Sequence, residues 1–144
     1  MQVRDVLKSK GMRVVTIAPD TTVAEAIARL VQNNIGSLPV VNEEGKLIGV
    51  VSERDVLRLM HNRGEAFSCE KIASVMTCNP VTCGPEDDVD EVMGQMSERR
   101  IAKVPVLEDG RLIGIVSVGD VIKVMYERLH AENTHLISYL YGQT

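Results

Sequence analysis

Leu47-Ile48-Gly49-Val50-Val51-Ser52-Glu53-Arg54-Asp55-Val56 recurs as Leu112-Ile113-Gly114-Ile115-Val116-Ser117-Val118-Gly119-Asp120-Val121, with seven of ten positions identical at an offset of 65. Each copy reads as a short β-branched strand, then Gly-x-x-Ser-x-x-Asp at the opening of a helix. Ser52 and Ser117 fall at the N-cap, and Asp55 and Asp120 three residues later at N3. Two readings follow. In one, hydroxyl and carboxylate only cap the helix, a contribution of about 1 kcal/mol. In the other, the free N–H groups of the helix end, with that hydroxyl and carboxylate beside them, hold a phosphate and a ribose.

The rest of the chain is arranged around these two stretches. Val3, Val6 and Leu7 give a short helical face ended by Gly11. Val14 to Ile17 predicts a strand stopped by Pro19, and Thr22-Val23-Ala24-Glu25 a capping box. Val23, Ala26, Ile27, Leu30 and Val31 carry the helical period, ended at Asn33-Asn34. Ser37 to Val41 and Lys46 to Val51 form a hairpin about Glu43-Glu44-Gly45. The Ser52 helix runs to about Asn62, and Gly64 to Cys69 is a linker. Then the plan repeats. Ile72, Val75 and Met76 echo Val3, Val6 and Leu7. Pro80-Val81-Thr82 echoes the first strand, and Asp88-Val89-Asp90-Glu91 is an N-cap with an acid at N3. Val104-Pro105-Val106-Leu107 and Arg111 to Val116 form the second hairpin about Asp109-Gly110. Two copies make an internal duplication, not a solenoid. Beyond Asp120, apolar residues from Val121 to Leu140 predict a long helix with a break near Asn133, packed on its own half or on a second subunit.

Composition narrows the function. The 144 residues include 16 basic and 20 acidic ones, a net charge of -4, which argues against binding driven by nucleic-acid phosphates. Phe67, Tyr126, Tyr139 and Tyr141 are the only aromatics, too few for a base-stacking platform. Cys69, Cys78 and Cys83 lack paired or zinc-ligand spacing and fit a reducing, cytoplasmic setting. No secretory leader or membrane-spanning run is visible. Glu127-x-x-His130 lacks the second motif that a di-iron bundle needs, and no phosphate loop, dinucleotide fingerprint or nucleophile–base pair stands out.

Leading helix, strand, capped helix, x-Pro-Val hairpin and Gly-x-x-Ser-x-x-Asp, twice in register, resemble the cystathionine-β-synthase (CBS) domain. The tandem resembles a Bateman module over roughly residues 1–128. The resemblance implies an α/β fold of two pseudo-twofold-related β-α-β-β-α repeats, 1–66 and 67–128, with 129–144 as a C-terminal helical extension. It implies clefts between the repeats for an adenosine-containing ligand, such as AMP, ADP, ATP, NAD(H) or S-adenosylmethionine. It also implies a disc-like homodimer that signals to a regulated enzyme or transporter. No catalytic cofactor, metal, nucleic-acid or membrane partner is expected, and the protein is expected not to be an enzyme.

Carried over residue by residue, the resemblance assigns Asp55 and Asp120 to ribose hydroxyls, since a carboxylate accepts from both members of a cis diol. Ser52 and Ser117 face the phosphate, as does Lys103, two before the strand proline; repeat one has Ser37 there. Arg54 is a further phosphate candidate, with Glu53 opposing it. Thr16 with Ile17, and Val81 with Thr82, border the base, and Pro39 and Pro105 shape the wall. Lys103 and the small Gly119 make the Asp120 site the better expected one. The alternative is a dimerisation scaffold whose clefts hold no ligand.

Overall fold

The computed structural model describes residues 1–141; the expected 129–144 extension therefore reaches, at its last three residues, outside the described ones. In chain order the elements are α1 (Val3–Lys10), α2 (Val23–Asn33), β1 (Ser37–Val41), β2 (Leu47–Ser52), α3 (Glu53–Arg63), a 3-10 segment (Gly64–Cys69) and α4 (Ile72–Val75). Then come β3 (Thr77–Cys78), α5 (Val89–Arg99), β4 (Lys103–Glu108), β5 (Arg111–Ser117) and α6 (Val118–Leu140). Two antiparallel hairpins, β1-β2 and β4-β5, carry the fold. Their registers match: Ser37 opposes Ser52 and Lys103 opposes Ser117. Asp109 and Gly110 both have positive φ, 53° and 79°, as the tight second turn requires.

The expected first strand of each repeat shrinks to one parallel bridge, Ile17 to Val40 and Cys83 to Val106. Ile17 donates its N–H to Pro39 (3.0 Å) and accepts from Val41 (3.1 Å); Cys83 does the same with Pro105 (3.0 Å) and Leu107 (2.8 Å). Pro19 and Pro85 each stand two residues on and offer no N–H to lengthen the ladder. The short β3 was not expected; it adds to the free edge of β2 through Gly49–Cys78 and Val50–Thr77.

The cores do not follow the sequence repeats. Val3, Val6 and Leu7 of α1 are buried with Val89, Val92, Met96, Val104, Val106 and Val116 of the second repeat. Ile72 of α4 is buried with Val23, Leu30, Leu38, Val40 and Val51 of the first. The leading helices are thus exchanged, and matching hydrogen bonds fix both. Val3 N–H donates to Asp87 and Arg4 N–H to Pro85, at 2.9 and 2.8 Å; Ile72 N–H donates to Thr21 and Ala73 N–H to Pro19, both at 2.9 Å.

The motif glycines mark where the exchanged helices press on the hairpins. A Cβ on Gly114 would lie 2.7 Å from Leu7 Cδ2; one on Gly49 would lie 2.6 Å from Met76 Sδ and 2.9 Å from the Thr77 carbonyl. No side chain larger than hydrogen fits without movement.

Three local expectations are corrected. Thr22 Oγ1 accepts the Glu25 N–H at 3.3 Å, but the box is half made, because Glu25 pairs with Arg29 Nε at 3.2 Å instead of reaching back. Asp88 caps nothing with its side chain; the Val89 N–H is met by the Met1 carbonyl at 2.9 Å. Helix α6 runs through Asn133 without a break: past Gly119 in its first turn, no glycine or proline interrupts its 23 residues, about 35 Å of helix. Of its apolar residues only Val121 and Val124 are buried; Ile122, Met125, Leu129, Leu136 and Leu140 are exposed.

Candidate functional site

Both Gly-x-x-Ser-x-x-Asp segments form complete capping boxes. Ser52 and Ser117 adopt extended backbone just before their helices. Ser52 Oγ accepts the Asp55 N–H (3.3 Å), and Asp55 Oδ2 accepts the Ser52 N–H (2.8 Å) and hydroxyl (3.0 Å). Ser117 Oγ accepts the Asp120 N–H (3.0 Å), and Asp120 Oδ2 the Ser117 N–H (3.0 Å). The cap reading is therefore realised, and it consumes one carboxylate oxygen of each pair. Among the described residues, neither Asp55 Oδ1 nor Asp120 Oδ1 has a protein partner, so capping and diol recognition are compatible at both carboxylates.

A cleft of about 690 Å³ opens between the repeats. The first repeat lines it with Gly36, Ser37, Pro39, Val50 and the segment Ser52 to Asp55. The second supplies Thr77, Asn79, Pro80, Val81, the segment Arg99 to Lys103, Pro105 and Ile115. Of the residues singled out from sequence, Pro39, Ser52, Arg54, Asp55, Val81, Lys103 and Pro105 come together here. Thr16, Ile17, Thr82, Ser117 and Asp120 do not line it.

Ile17 is corrected outright. It is 1% exposed and sits in the first core, because the bridge to Val40 turns its side chain inward. Thr16 instead gives its carbonyl to Arg29 Nη1. Val81 lines the cleft of Asp55, because that cleft is walled in part by the other repeat. Lys103 lies opposite Ser117 in the β4-β5 register and also lines the Asp55 cleft.

Charge distinguishes this cleft. Arg54, Arg99, Arg100 and Lys103 line it against Glu53 and Asp55. Among the described residues none of the four cations has a carboxylate within 4.0 Å. Arg99 and Arg100 read in sequence as a solvated helix end, where cations are favourable in themselves. The missed signal is backbone geometry: Arg100 closes α5 with φ 56°, a left-handed conformation that glycine or asparagine adopts more readily. At the corresponding end of α2 the residue is Asn34.

Asp120 is differently placed. Lys10 Nζ, at the end of α1, donates to Asp120 Oδ2 at 2.6 Å and to the Ile115 carbonyl at 2.8 Å. Burial raises the Asp120 pKa, but hydrogen bonds from Lys10 and Ser117 and the Lys10 charge outweigh it and hold the carboxyl below its ordinary value of 3.8. Lys10 thus distinguishes the two carboxylates, since among the described residues Asp55 has no cation within 4.0 Å.

Among the described residues no three His, Cys, Asp or Glu side chains converge as metal ligands. Burial, with the nearby Asp87 charge, pushes the Cys83 thiol up to about 12, so it is neutral and inert at pH 7. No helix among the described residues is long and apolar enough to cross a membrane.

Comparison with known proteins gives a consistent answer. The family model of the CBS domain matches residues 3–62 and 72–127. The chain is 34% identical to the CBS domain-containing protein CBSX3, mitochondrial, of Arabidopsis thaliana, over 97% of this chain and 72% of the relative. The crystal structure of the CBS-domain containing protein ATU1752 from Agrobacterium tumefaciens superposes with a TM-score of 0.81 at 37% identity, covering 87% of this chain and 99% of that one. The CBS domain pair of protein MJ0100, solved in complex with 5′-methylthioadenosine and S-adenosyl-L-methionine, has a TM-score of 0.76 at 29% identity, covering 89% and 98%. Two matched segments, two exchanged cores and two capped motif helices agree: this chain belongs to the CBS-domain family, as a tandem pair of CBS domains.

Proposed function

We propose that this CBS pair is a regulatory module that binds a phosphate-bearing adenosine ligand, such as AMP, ADP, ATP or NAD(H), in the Asp55 cleft. One observation carries the reading: at a helix N-terminus, a carboxylate with an oxygen unused among the described residues lines one cleft with four cations that have no carboxylate partner among those residues. The carboxylate suits a ribose cis diol. Ser52, the α3 N-terminus and the cations suit phosphate, through charge-assisted hydrogen bonds. Val81, Pro39 and Pro105 offer the adenine an apolar wall. A related pair binds S-adenosylmethionine, as the MJ0100 complex records; here the same cations oppose a sulfonium and favour phosphate.

The module performs no chemistry on its ligand in this reading, and no catalytic cofactor enters it. Because the cleft draws on both repeats, a ligand bridging it favours one arrangement of the two, and that preference is what a partner reads. Exposed Leu57 and Met60 on α3, and Ile122, Met125 and Leu129 on α6, support a homodimer contact or a regulated enzyme or transporter as that partner. The free, exposed Cys69 and Cys78 suit a reducing cytoplasm. The same exposed α6 residues favour the second reading, a dimerisation scaffold that binds no nucleotide.

Calorimetric titration with AMP, ATP, NAD⁺, NADH and S-adenosylmethionine separates the two. Saturable binding of a phosphate-bearing ligand, weakening as salt rises, is expected. Binding of none of the five overturns the proposal in favour of the scaffold.

A further inference from the structure

We infer that Lys10 decides which of the two clefts accepts a ligand: it holds the Asp120 carboxylate as an internal ammonium and leaves the Asp55 cleft as the one open site in each chain. The inference rests on the adenosine-ligand reading and adds its stoichiometry and the residue that sets it.

The two motif carboxylates are nearly superimposable by sequence, and their capping bonds are alike. What differs is the exchanged helix that reaches each one. Helix α1 runs eight residues and delivers Lys10 to Asp120. Helix α4, its counterpart, stops after four. Counted from the shared apolar residues Leu7 and Met76, the position of Lys10 corresponds to Asn79. Asn79 lies past β3 with φ 51° and lines the Asp55 cleft, bringing no charge to its carboxylate.

The Lys10 contact is hard to displace. Its ammonium is anchored twice, by Asp120 at 2.6 Å and by the Ile115 carbonyl at 2.8 Å, and the side chains of Lys10 and Asp120 are partly shielded, 32% and 23% exposed. A ribose hydroxyl donating to the carboxylate is also charge-assisted, but it brings no charge of its own and must compete with an ammonium already seated there at 2.6 Å. A ligand entering there must first free Lys10, which weakens its binding at least tenfold relative to a cleft lacking the lysine.

Equilibrium dialysis of labelled ATP against the whole chain tests this. Wild type is expected to bind one equivalent, Lys10→Met two, and Lys10→Arg, which preserves charge and pairing, one. Adding Asp120→Asn to Lys10→Met is expected to return the count to one. Asp55→Asn alone, which leaves Lys10 in place, is expected to remove the single tight site. Two equivalents in wild type, one in a folded Lys10→Met, or a tight equivalent surviving in Asp55→Asn would each overturn the role of Lys10 while leaving nucleotide binding standing. Binding in none of the proteins would instead remove the adenosine-ligand reading beneath it. Should Lys10→Met not fold, the wild-type count and the Asp55→Asn result decide the matter.

Discussion

Removing Leu7 and filling Gly114 should be strongly coupled, because the α1 helix of one repeat completes the core of the other. Leu7 is 1% exposed among second-repeat side chains. Truncating it to alanine should cost about 2.7–5.0 kcal/mol, the range for buried leucines. Gly114→Ala sets a methyl 2.7 Å from Leu7 Cδ2 and 3.3 Å from Cδ1, inside the roughly 3.5–4.0 Å of a comfortable carbon contact. That overpacking should cost about 1–3 kcal/mol. In the double variant the clashing methyls are gone, and the new methyl fills part of the cavity, worth about 0.8 kcal/mol. The double variant should therefore be no less stable than Leu7→Ala alone, within about 0.5 kcal/mol. Equilibrium urea unfolding followed by far-ultraviolet circular dichroism reads all four proteins. Additive losses would refute the exchanged-helix core, since independent sites add to within about 0.3–0.5 kcal/mol. The first repeat offers a contrast: Gly49→Ala meets the Thr77 backbone carbonyl at 2.9 Å as well as Met76, so Met76→Ala should relieve it less completely.

Three further outcomes follow from single residues. Cys69 and Cys78 are exposed while Cys83 is buried with its pKa near 12, so a native-state thiol titration should modify two of three cysteines, and all three only after unfolding. Because the Asp120 carboxyl is held below 3.8, its contacts contribute stability in full above that value and lose it as pH falls through the lower folded value; Lys10→Met should shrink this acid-dependent loss in melting curves, and an unchanged profile would contradict the pairing. Arg100→Gly should relieve a left-handed arginine, stabilising the fold by about 0.5–1 kcal/mol, while weakening ATP binding severalfold; tighter or unchanged binding would remove Arg100 from the phosphate contacts.

The duplication, the Pro-Val hairpins and both capping boxes were legible because each is a local device whose residues lie within a few positions of one another. Ser52 with Asp55 and Ser117 with Asp120 are made as their spacing implies. The exchange of α1 and α4 was not legible. Val3, Val6 and Leu7 announce a buried face, but helical periodicity does not say which surface buries it. Strand alternation similarly left open which side of Ile17 faces the core, and two β-branched segments gave one bridge each because neighbouring prolines cap the ladder. Lys103, read in sequence with Asp120, lines the Asp55 cleft because part of that cleft's wall comes from the other repeat. Arg99 and Arg100 carry no local motif, and the Lys10–Asp120 contact joins residues 110 positions apart. Only the tertiary arrangement brings these charges to the motif helices.

The most direct test of a nucleotide cleft at Asp55 is the affinity of ATP for Asp55→Asn beside wild type. Asparagine keeps a capping oxygen for the Ser52 N–H, so the helix start is preserved while the charge that should meet the ribose is removed. Losing one charge-assisted contact of about 1.5–3 kcal/mol predicts a ten- to hundredfold rise in Kd. An unchanged Kd in a variant that melts like wild type would contradict the account.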